Sequence, residues 1–516
     1  MTEVSDIVNI CNIELATLSP IQWEYHLSPE AIKLLDNDKK YYNEWDLNPE
    51  NPESSFSLAM KKSGWGVNSI EKVEIHHRGD GIAEYIINNK MDFLIHSYLI
   101  REFPRIEVDP RFDAKVQISW CDNIGHHSYE YIQLWVDKEK VLTITPVWLD
   151  IRQRYLLPSH MKEKYMRMVG DERFTGHWGK ETMAFKTKTP LPFHYSRHIT
   201  QALPLFVMSS KSEVKIVIKY KTRISELVRM RIYDDENKIW VSTPFNWKLI
   251  KGVGPDKIGS DLNNEFDKLK IPEMFSKYCK ISKEEKIWFE EDKMIKRLND
   301  GSTINIPLKY YMEDIIILPV KSNEQNSPSI SVNLSSKLPV KAIFWVMQNK
   351  NGIIYNNYSN YTTNKDGTGD HPVDSISIEY NSNEKKIHDM EPYHFDEIAS
   401  YYDGISSGDK IGYGFYNLCH DVRSFNQAPI ALLFNNAKAA ISFKLKSNVV
   451  IKSERDKEHG EDVIGELLKN KDKSVENTNI QYNAYVILLV TKRIDIFWGD
   501  KILNGPKILI HDGNTT

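Results

Sequence analysis

Val116-Gln-Ile-Ser-Trp-Cys-Asp-Asn-Ile-Gly-His-His-Ser-Tyr-Glu-Tyr-Ile-Gln-Leu-Trp-Val136 holds two strand-like runs that meet at an Asp-Asn-Ile-Gly turn. Val116, Ile118 and Trp120 alternate with Gln117 and Ser119, while Ile132, Leu134 and Val136 alternate with Tyr131, Gln133 and Trp135. A period of two belongs to antiparallel strands with one face on a core. Asn123 and Gly125 accept the positive backbone angles that a tight connection needs. The stretch predicts β architecture and carries no catalytic signature.

Working outward, residues 1–55 read as an N-terminal extension that ends in the polar run Asp36–Ser55. Strand signals then follow in quick succession at Val73–Ile75, Ala83–Ile87, Phe93–Leu99, Val116–Trp120, Ile132–Val136 and Val141–Ile144. Such spacing suits a sandwich or barrel. A helical interlude over Ile151–Val169, broken at Pro158, brings Met161, Tyr165 and Met168 to one face and ends at Gly170. Strands resume at Leu205–Met208, Val214–Tyr220, Leu227–Tyr233 and Ile239–Val241, closing a first unit over 56–250.

Residues 251–300 read as a helical linker, with patterns around Leu262–Leu269 and Lys283–Leu298. Its apolar content, including Phe266, Met274, Phe275, Trp288 and Phe289, predicts two units held in fixed relation. A second series over 301–516 runs through Tyr310–Val320, Ile330–Leu334, Ala342–Met347, Ile376–Tyr380, Leu432–Phe434, Ile441–Leu445, Tyr485–Val490 and Ile494–Trp498. Two polar insertions, Asn349–Val373 and Ser453–Asn479, are expected as exposed loops outside the core.

The 516 residues exceed what one ordinary core holds, so at least two domains of roughly 200 to 250 residues are expected. A net charge of −4 argues against a main surface that binds nucleic acid, which needs concentrated Lys and Arg. Cys11, Cys121, Cys279 and Cys419 lie far apart with no C-x-x-C pair, which favours a reducing compartment over a zinc site or disulfide scaffold. Met1–Leu18 lacks the basic start of a secretory leader and no apolar run reaches the roughly 20 residues of a membrane span. The chain is therefore expected to fold in the cytosol, where the sequons at Asn333, Asn357, Asn360 and Asn514 are incidental.

Candidate sites meet simpler explanations. His126-His127 beside Cys121 and Asp122 invites a metal, but neighbours on a strand point to opposite faces, so hydrogen-bonded imidazoles at a turn are favoured. His76-His77 fails for the same reason. Cys419-His420-Asp421 reads as a buried thiol near a strand end and not as a nucleophile with its base. Asp366-Gly-Thr-Gly-Asp370 lacks the other ligands of a calcium loop and reads as a polar turn. Gly252, Gly254 and Gly259 do not make a dinucleotide fingerprint, and Glu290-Glu291 sit on a charged helix face. No catalytic, cofactor-binding or metal residues are expected, and no cofactor; the core is expected around Trp120, Ile118, Leu134, Phe206 and Trp345.

Taken together, the segments resemble the major capsid proteins of nucleocytoplasmic large DNA viruses, a double jelly-roll family. Asp92–Val108 resembles the family strand that ends in an acid, an apolar residue and proline. Ile118–Trp135 is similar to its W-x-D-N-x-G-H-x-L-I pair, matching at Trp120, Asp122, Asn123, Gly125 and His126 and departing at His127 and Ser128. Trp148–Gly170 resembles the helix after it, Leu203–Tyr220 the L-P-L and E-V-x-I-x-I strands, and Leu338–Gln348 the L-P-V-K-x-I-x-W-V-x-Q strand. The likeness covers about residues 70–450, with a closing strand pair at Tyr485–Trp498. Gln427-Ala428-Pro429-Ile430 and Asn435-Asn436 depart from the family's Gln-Pro-Ser-Gly and its following strand, which suits a divergent or secondary paralogue.

The resemblance implies an all-β fold of two tandem eight-stranded jelly rolls with short helices in loops and linker. It implies a non-enzymatic structural capsid protein, a late protein of the virion, that forms a pseudo-hexagonal homotrimer and an icosahedral shell. Expected partners are further copies, minor capsid proteins and an underlying viral membrane, with assembly in the host cytoplasm. The alternatives are a transient poxvirus-like scaffold, a minor capsid paralogue and, more distantly, a carbohydrate-binding or carbohydrate-active β-sandwich. The last needs two carboxylates about 5 to 10 Å apart in an aromatic cleft or a calcium site.

Overall fold

The computed structural model describes residues 68–511 with breaks, the longest at 252–266, 424–438 and 447–480, where Ile464 alone is described. The extension 1–55 lies outside the described residues, as do most of Ser453–Asn479, the strand expected at Leu432–Phe434, the three linker glycines, Glu290-Glu291 and His420.

Among the described residues, thirteen strands lie between Asn68 and Cys279. They are β1 (Asn68–Lys72), β2 (Glu74–Gly79), β3 (Ile82–Ile86), β4 (Phe93–Phe103), β5 (Val116–Trp120), β6 (Tyr129–Val136), β7 (Glu139–Ile144), β8 (Phe185–Pro190), β9 (Leu203–Pro204), β10 (Val214–Tyr220), β11 (Val228–Asp234), β12 (Ile239–Thr243) and β13 (Glu273–Cys279). The rest follow as β14 (Ile295–Arg297), β15 (Thr303–Asn305), β16 (Leu308–Ile317), β17 (Lys321–Ser322), β18 (Ser329–Leu334), β19 (Val340–Asn349), β20 (Val373–Tyr380), β21 (Glu384–Met390), β22 (Tyr413–Asn417), β23 (Ala439–Leu445), β24 (Tyr482–Ile496) and β25 (Ile508–His511).

One sheet of the first unit runs β1-β13-β4-β8 and the other β2-β3-β10-β6-β7. In the second unit the sheets run β16-β24-β19-β22 and β18-β23-β20-β21. Counting β1, β3, β4, β6, β7, β8, β10 and β13 as strands one to eight, both units show the same orders, one-eight-three-six and two-seven-four-five. All pairings are antiparallel. This repeated order makes the chain two tandem eight-stranded jelly rolls, the all-β class that the resemblance implies. A third, small sheet, β12-β11-β5, stands beside the first unit.

Several sequence readings shift. Strands β5 and β6 do not pair with each other: β5 joins β11 and β6 joins β10. Helix α1 (Ile124–His127) separates them, entered through Asn123 at φ 48°. Gly125 owes its place to close packing, since a Cβ there would lie 2.8 Å from Thr189 Oγ1 and from the Val169 carbonyl oxygen. The helical interlude starts earlier, as α2 (Pro146–Tyr155), and continues as α3 (Ser159–Val169), closed by Gly170 at φ 74°. On α3 the buried side chains are Lys162, Tyr165 and Val169, while Met161 is half exposed.

The expected linker holds β13, whose Met274 and Tyr278 alternate inward and which pairs with both β1 and β4. The first unit thus closes at Cys279; among the described residues the short helix Lys283–Trp288 answers to the second helical pattern, and most of Leu262–Leu269 lies outside them. Leu205–Val207 is a 3-10 turn and not a strand, so its side chains do not alternate and Phe206 is only partly buried, its ring edge-on to Phe93 at 5.1 Å. Tyr485–Val490 and Ile494–Ile496 belong to the single strand β24, Phe497 and Trp498 lying outside the described residues.

Trp120, Ile118, Leu134 and Trp345 are all buried. They occupy three clusters. Trp120 and Ile118 pack with Phe103, Val116 and Met230 beside the small sheet, the Trp120 ring meeting Phe103 and Phe185 and its Nε1 donating to the Met183 carbonyl at 2.9 Å. Trp345 lies inside the second jelly roll, and Leu134 belongs to the core of the first. That first core is continuous with the outer face of β19, β22 and β24, through Ala342, Phe344, Val346, Phe415 and Ile487. The two units therefore share one apolar cluster.

Candidate functional site at the seam between the units

Helix α2 sits where the units meet, because Thr145 caps its start and Pro146 fits the first turn. Nearly every side chain from Val147 to Tyr155 is buried, an all-round burial that marks a helix with partners on every side. Trp148 and Tyr155 pack on Phe344 at 5.7 and 5.8 Å between ring centroids, and Tyr155 also on Phe415 at 4.9 Å.

Asp150 of α2 is fully buried and gathers donors from both units. From the first, Asn123 Nδ2 donates to Oδ1 at 3.0 Å, His126 Nδ1 lies 2.7 Å from Oδ1 and His127 Nε2 2.9 Å from Oδ2. From the second, the Ser359 and Tyr361 hydroxyls donate to Oδ2 at 2.7 and 2.9 Å. Burial alone would raise this carboxyl, but His127 and His126 beside it and the donated hydrogen bonds hold it well below the usual carboxylate range. His126 is completed by Tyr165, whose hydroxyl lies 2.9 Å from Nε2; burial lowers the imidazole, so a neutral ring that donates from Nδ1 and accepts at Nε2 satisfies every group.

The adjacent histidines thus do converge, because they lie on a short helix and not on a strand, and they converge on a carboxylate. Among the described residues no group of His, Cys, Asp or Glu is arranged to hold a metal ion. His76 is exposed beside Glu74, 3.3 Å away. Asp366 accepts from the Thr368 N–H and hydroxyl in a closed turn through Gly367 at φ 89°, the polar turn expected there. Cys419 is buried, with Sγ 3.3 Å from Asn417 Oδ1 and a thiol pushed up by burial, which disfavours the nucleophilic thiolate.

Among the described residues, further ionic links cross the seam, centred on Asp396, Lys410 and Glu313. Arg154 donates to both carboxylate oxygens of Asp396, at 3.1 and 2.5 Å, and the Tyr155 hydroxyl donates to Oδ1 at 2.7 Å. The Lys410 ammonium meets Asp122, whose other oxygen accepts from the Glu172 N–H at 2.8 Å; burial would raise Asp122, but Lys410 holds it low. Arg197 meets Glu313, which also takes the fully buried Lys341 at 2.5 Å.

Asn349–Val373 is not an exposed loop. Asn356, Asn357, Asn360, Tyr361 and Thr362 are buried, and the segment reaches into the first unit. Asn356 Nδ2 donates to the Ser225 and Val228 carbonyls, both at 2.7 Å, and the Tyr358 hydroxyl to the Glu226 carbonyl at 2.8 Å. Polar composition is misleading here because Asn and Thr side chains satisfy backbone groups internally, as when Asn349 caps the Lys350–Ile354 helix. Burial of Asn357 and Asn360 also closes two of the sequons, whereas Asn333 is exposed on β18. Of the missed seam residues, Asp150, Arg154 and Asp396 carry one sequence signal, charged side chains inside helical stretches with apolar neighbours, whereas Ser359 and Tyr361 lie in a polar loop and carry none.

Residues 54–242 match the family described as major capsid protein N-terminus. No curated protein matches the chain. Among solved structures, the chain is similar to the PBCV-1 virus capsid protein at 11% identity and a TM-score of 0.57, covering 87% of this chain and 97% of that one. It is also similar to the Faustovirus major capsid protein (9% identity, TM-score 0.55, covering 84% and 91%). The capsid structure of the Sputnik virophage follows at 9% identity and a TM-score of 0.50, covering 88% and 90%. At such identities the likeness speaks for the fold.

Proposed function

We propose that this chain, whose residues 54–242 match the family described as major capsid protein N-terminus, is a structural capsid component of the virion, and that the building block of the shell is a homotrimer. Its six jelly rolls would give a pseudo-hexagonal outline suited to an icosahedral lattice. The observation that carries this reading is the repetition of one strand order in two units locked side by side by buried contacts. A unit that presents the same architecture twice fills two of six equivalent places, so three chains close the ring.

Minor capsid proteins and an underlying viral membrane belong to the same reading as partners of the assembled shell, and the host cytoplasm as its place of assembly. The chain acts by burying surface between copies, with domains at 56–250 and 301–516 as its two jelly rolls, the first completed by β13. Native mass of the purified full-length protein at dilute concentration tests this. A species of three chains is expected; a single chain at every concentration would overturn the homotrimer.

A further inference from the structure

Because both units share one strand order, each surface of one has a counterpart on the other. In the first unit the segment between the fifth and sixth strands supplies α2, which packs on the outer face of the second unit's β19 and β22 through Phe344, Tyr413 and Phe415. The counterpart of α2 is the helical segment His394–Tyr402, which lies between β21 and β22, again the fifth and sixth strands. Its inner side is occupied, with Phe395 against Trp345 at 5.2 Å and Asp396 on Arg154. Its outer side presents Tyr393, Ile398, Tyr401 and Tyr402, exposed by 50, 38, 79 and 82%.

The counterpart of the face that receives α2 is the outer face of β1, β13, β4 and β8. Inner positions there are Ser97 and Leu99, so Tyr98 and Ile100 point outward, and Tyr98 stacks on Phe275 at 5.6 Å and 14°. Ile70 beside them is 60% exposed. Contiguous large apolar side chains of this kind mark an interaction surface on a folded protein. The two surfaces also differ in net charge: the helical segment carries exposed Glu391 and Glu397, while on the sheet face Lys72, Lys186, Lys188 and Lys277 outnumber Glu102 and Glu273.

We propose that these two surfaces meet between copies of this chain: the outer side of His394–Tyr402 in one copy packs on the outer face of β4 and β8, the counterparts of β19 and β22, in the next. The contact repeats between chains what α2 makes within a chain. It joins unlike surfaces, so it propagates head to tail and closes where three chains complete the ring. The assignment rests on the homotrimer reading above and names the surfaces that build it.

Two full-length variants test it, Tyr401→Asp/Tyr402→Asp on the helical side and Ile100→Asp/Lys188→Glu on the sheet side, each altering side chains on the outer face only. Each variant alone is expected to fall from a native mass of three chains to one, with its thermal melting unchanged. Mixed together they are expected to form a two-chain species, because one retains the sheet surface and the other the helical surface. Variants that remain three-chain at the same dilution, or a mixture that stays single-chain, would overturn the surface assignment and leave the homotrimer standing. A single-chain mass for the unaltered protein would overturn both.

Discussion

Tyr361 donates its hydroxyl to Asp150 at 2.9 Å although 211 positions separate them, and both side chains are buried. The bond joins the long insertion after the third strand of the second jelly roll to the helix after the fifth strand of the first. Removing the carboxylate by Asp150→Ala would leave several buried donors unpaired and is expected to cost on the order of 3 to 5 kcal/mol. Tyr361→Phe, which removes one donor, should cost about 1 to 2 kcal/mol. Urea denaturation measures both; an Asp150→Ala protein as stable as the parent would contradict the seam described above.

Arg154→Ala is expected to destabilise by roughly 3 to 5 kcal/mol, because Asp396 is then buried without its cation. Replacing both partners by apolar residues of similar size should recover most of that loss, since the pair also costs desolvation. A double variant no more stable than Arg154→Ala, in the same denaturation assay, would show that the guanidinium matters by packing on Tyr413, 4.8 Å away, and not by charge.

Exchanging residues 350–372 for a short Gly-Ser linker should uncouple the units, because Asn356, Tyr358, Ser359 and Tyr361 all bond to the first. Calorimetry is expected to resolve two transitions where the parent gives one. A single parental transition would restore the loop reading suggested by composition.

Acid should weaken the protein below about pH 6.5. Burial lowers His194 and His371 to about 4 each, and Nδ1 of His194 meets no hydrogen-bond partner among the described residues, at a seam lined by Leu134, Val141, Ile494 and Ile496. The unfolded chain takes up these protons near the ordinary value of about 6.5, the folded one only near 4, so the unfolded state binds more protons in between. Stability is full above that window and declines as pH falls through it, by at most roughly 3 kcal/mol per imidazole. Urea midpoints from pH 8 to 4 test this, with His194→Phe flattening part of the slope; an unchanged midpoint down to pH 5 would refute it.

Trp120→Ala should cost on the order of 3 to 5 kcal/mol through lost burial and the cavity left against Phe103 and Phe185. A variant that melts with the parent would place the indole outside a tight core.

The fold was legible where alternation is strict. Val116–Trp120 and Val214–Tyr220 are strands over the residues expected, since every second side chain is buried or packed. Strand β22 (Y-G-F-Y-N) escaped because Gly414 breaks the pattern; it is there to admit the Trp345 ring, whose atoms would lie 2.4 Å from a Cβ. Of the seam, sequence showed the Asp122, Asn123 and His126 positions of the capsid-like motif but not their partners, Lys410 for Asp122 and Asp150 for the other two, nor the Ser359 and Tyr361 hydroxyls that complete Asp150. Such pairings are made by the fold and leave no local period.

A single-particle reconstruction of the purified full-length protein tests the central claim most directly. The account predicts three chains in a pseudo-hexagonal ring, with α2 at the three seams within chains and Tyr401 and Tyr402 at the three seams between them. A particle in which the two jelly rolls of one chain stand apart, or in which a lone chain keeps both surfaces in solvent, would contradict it.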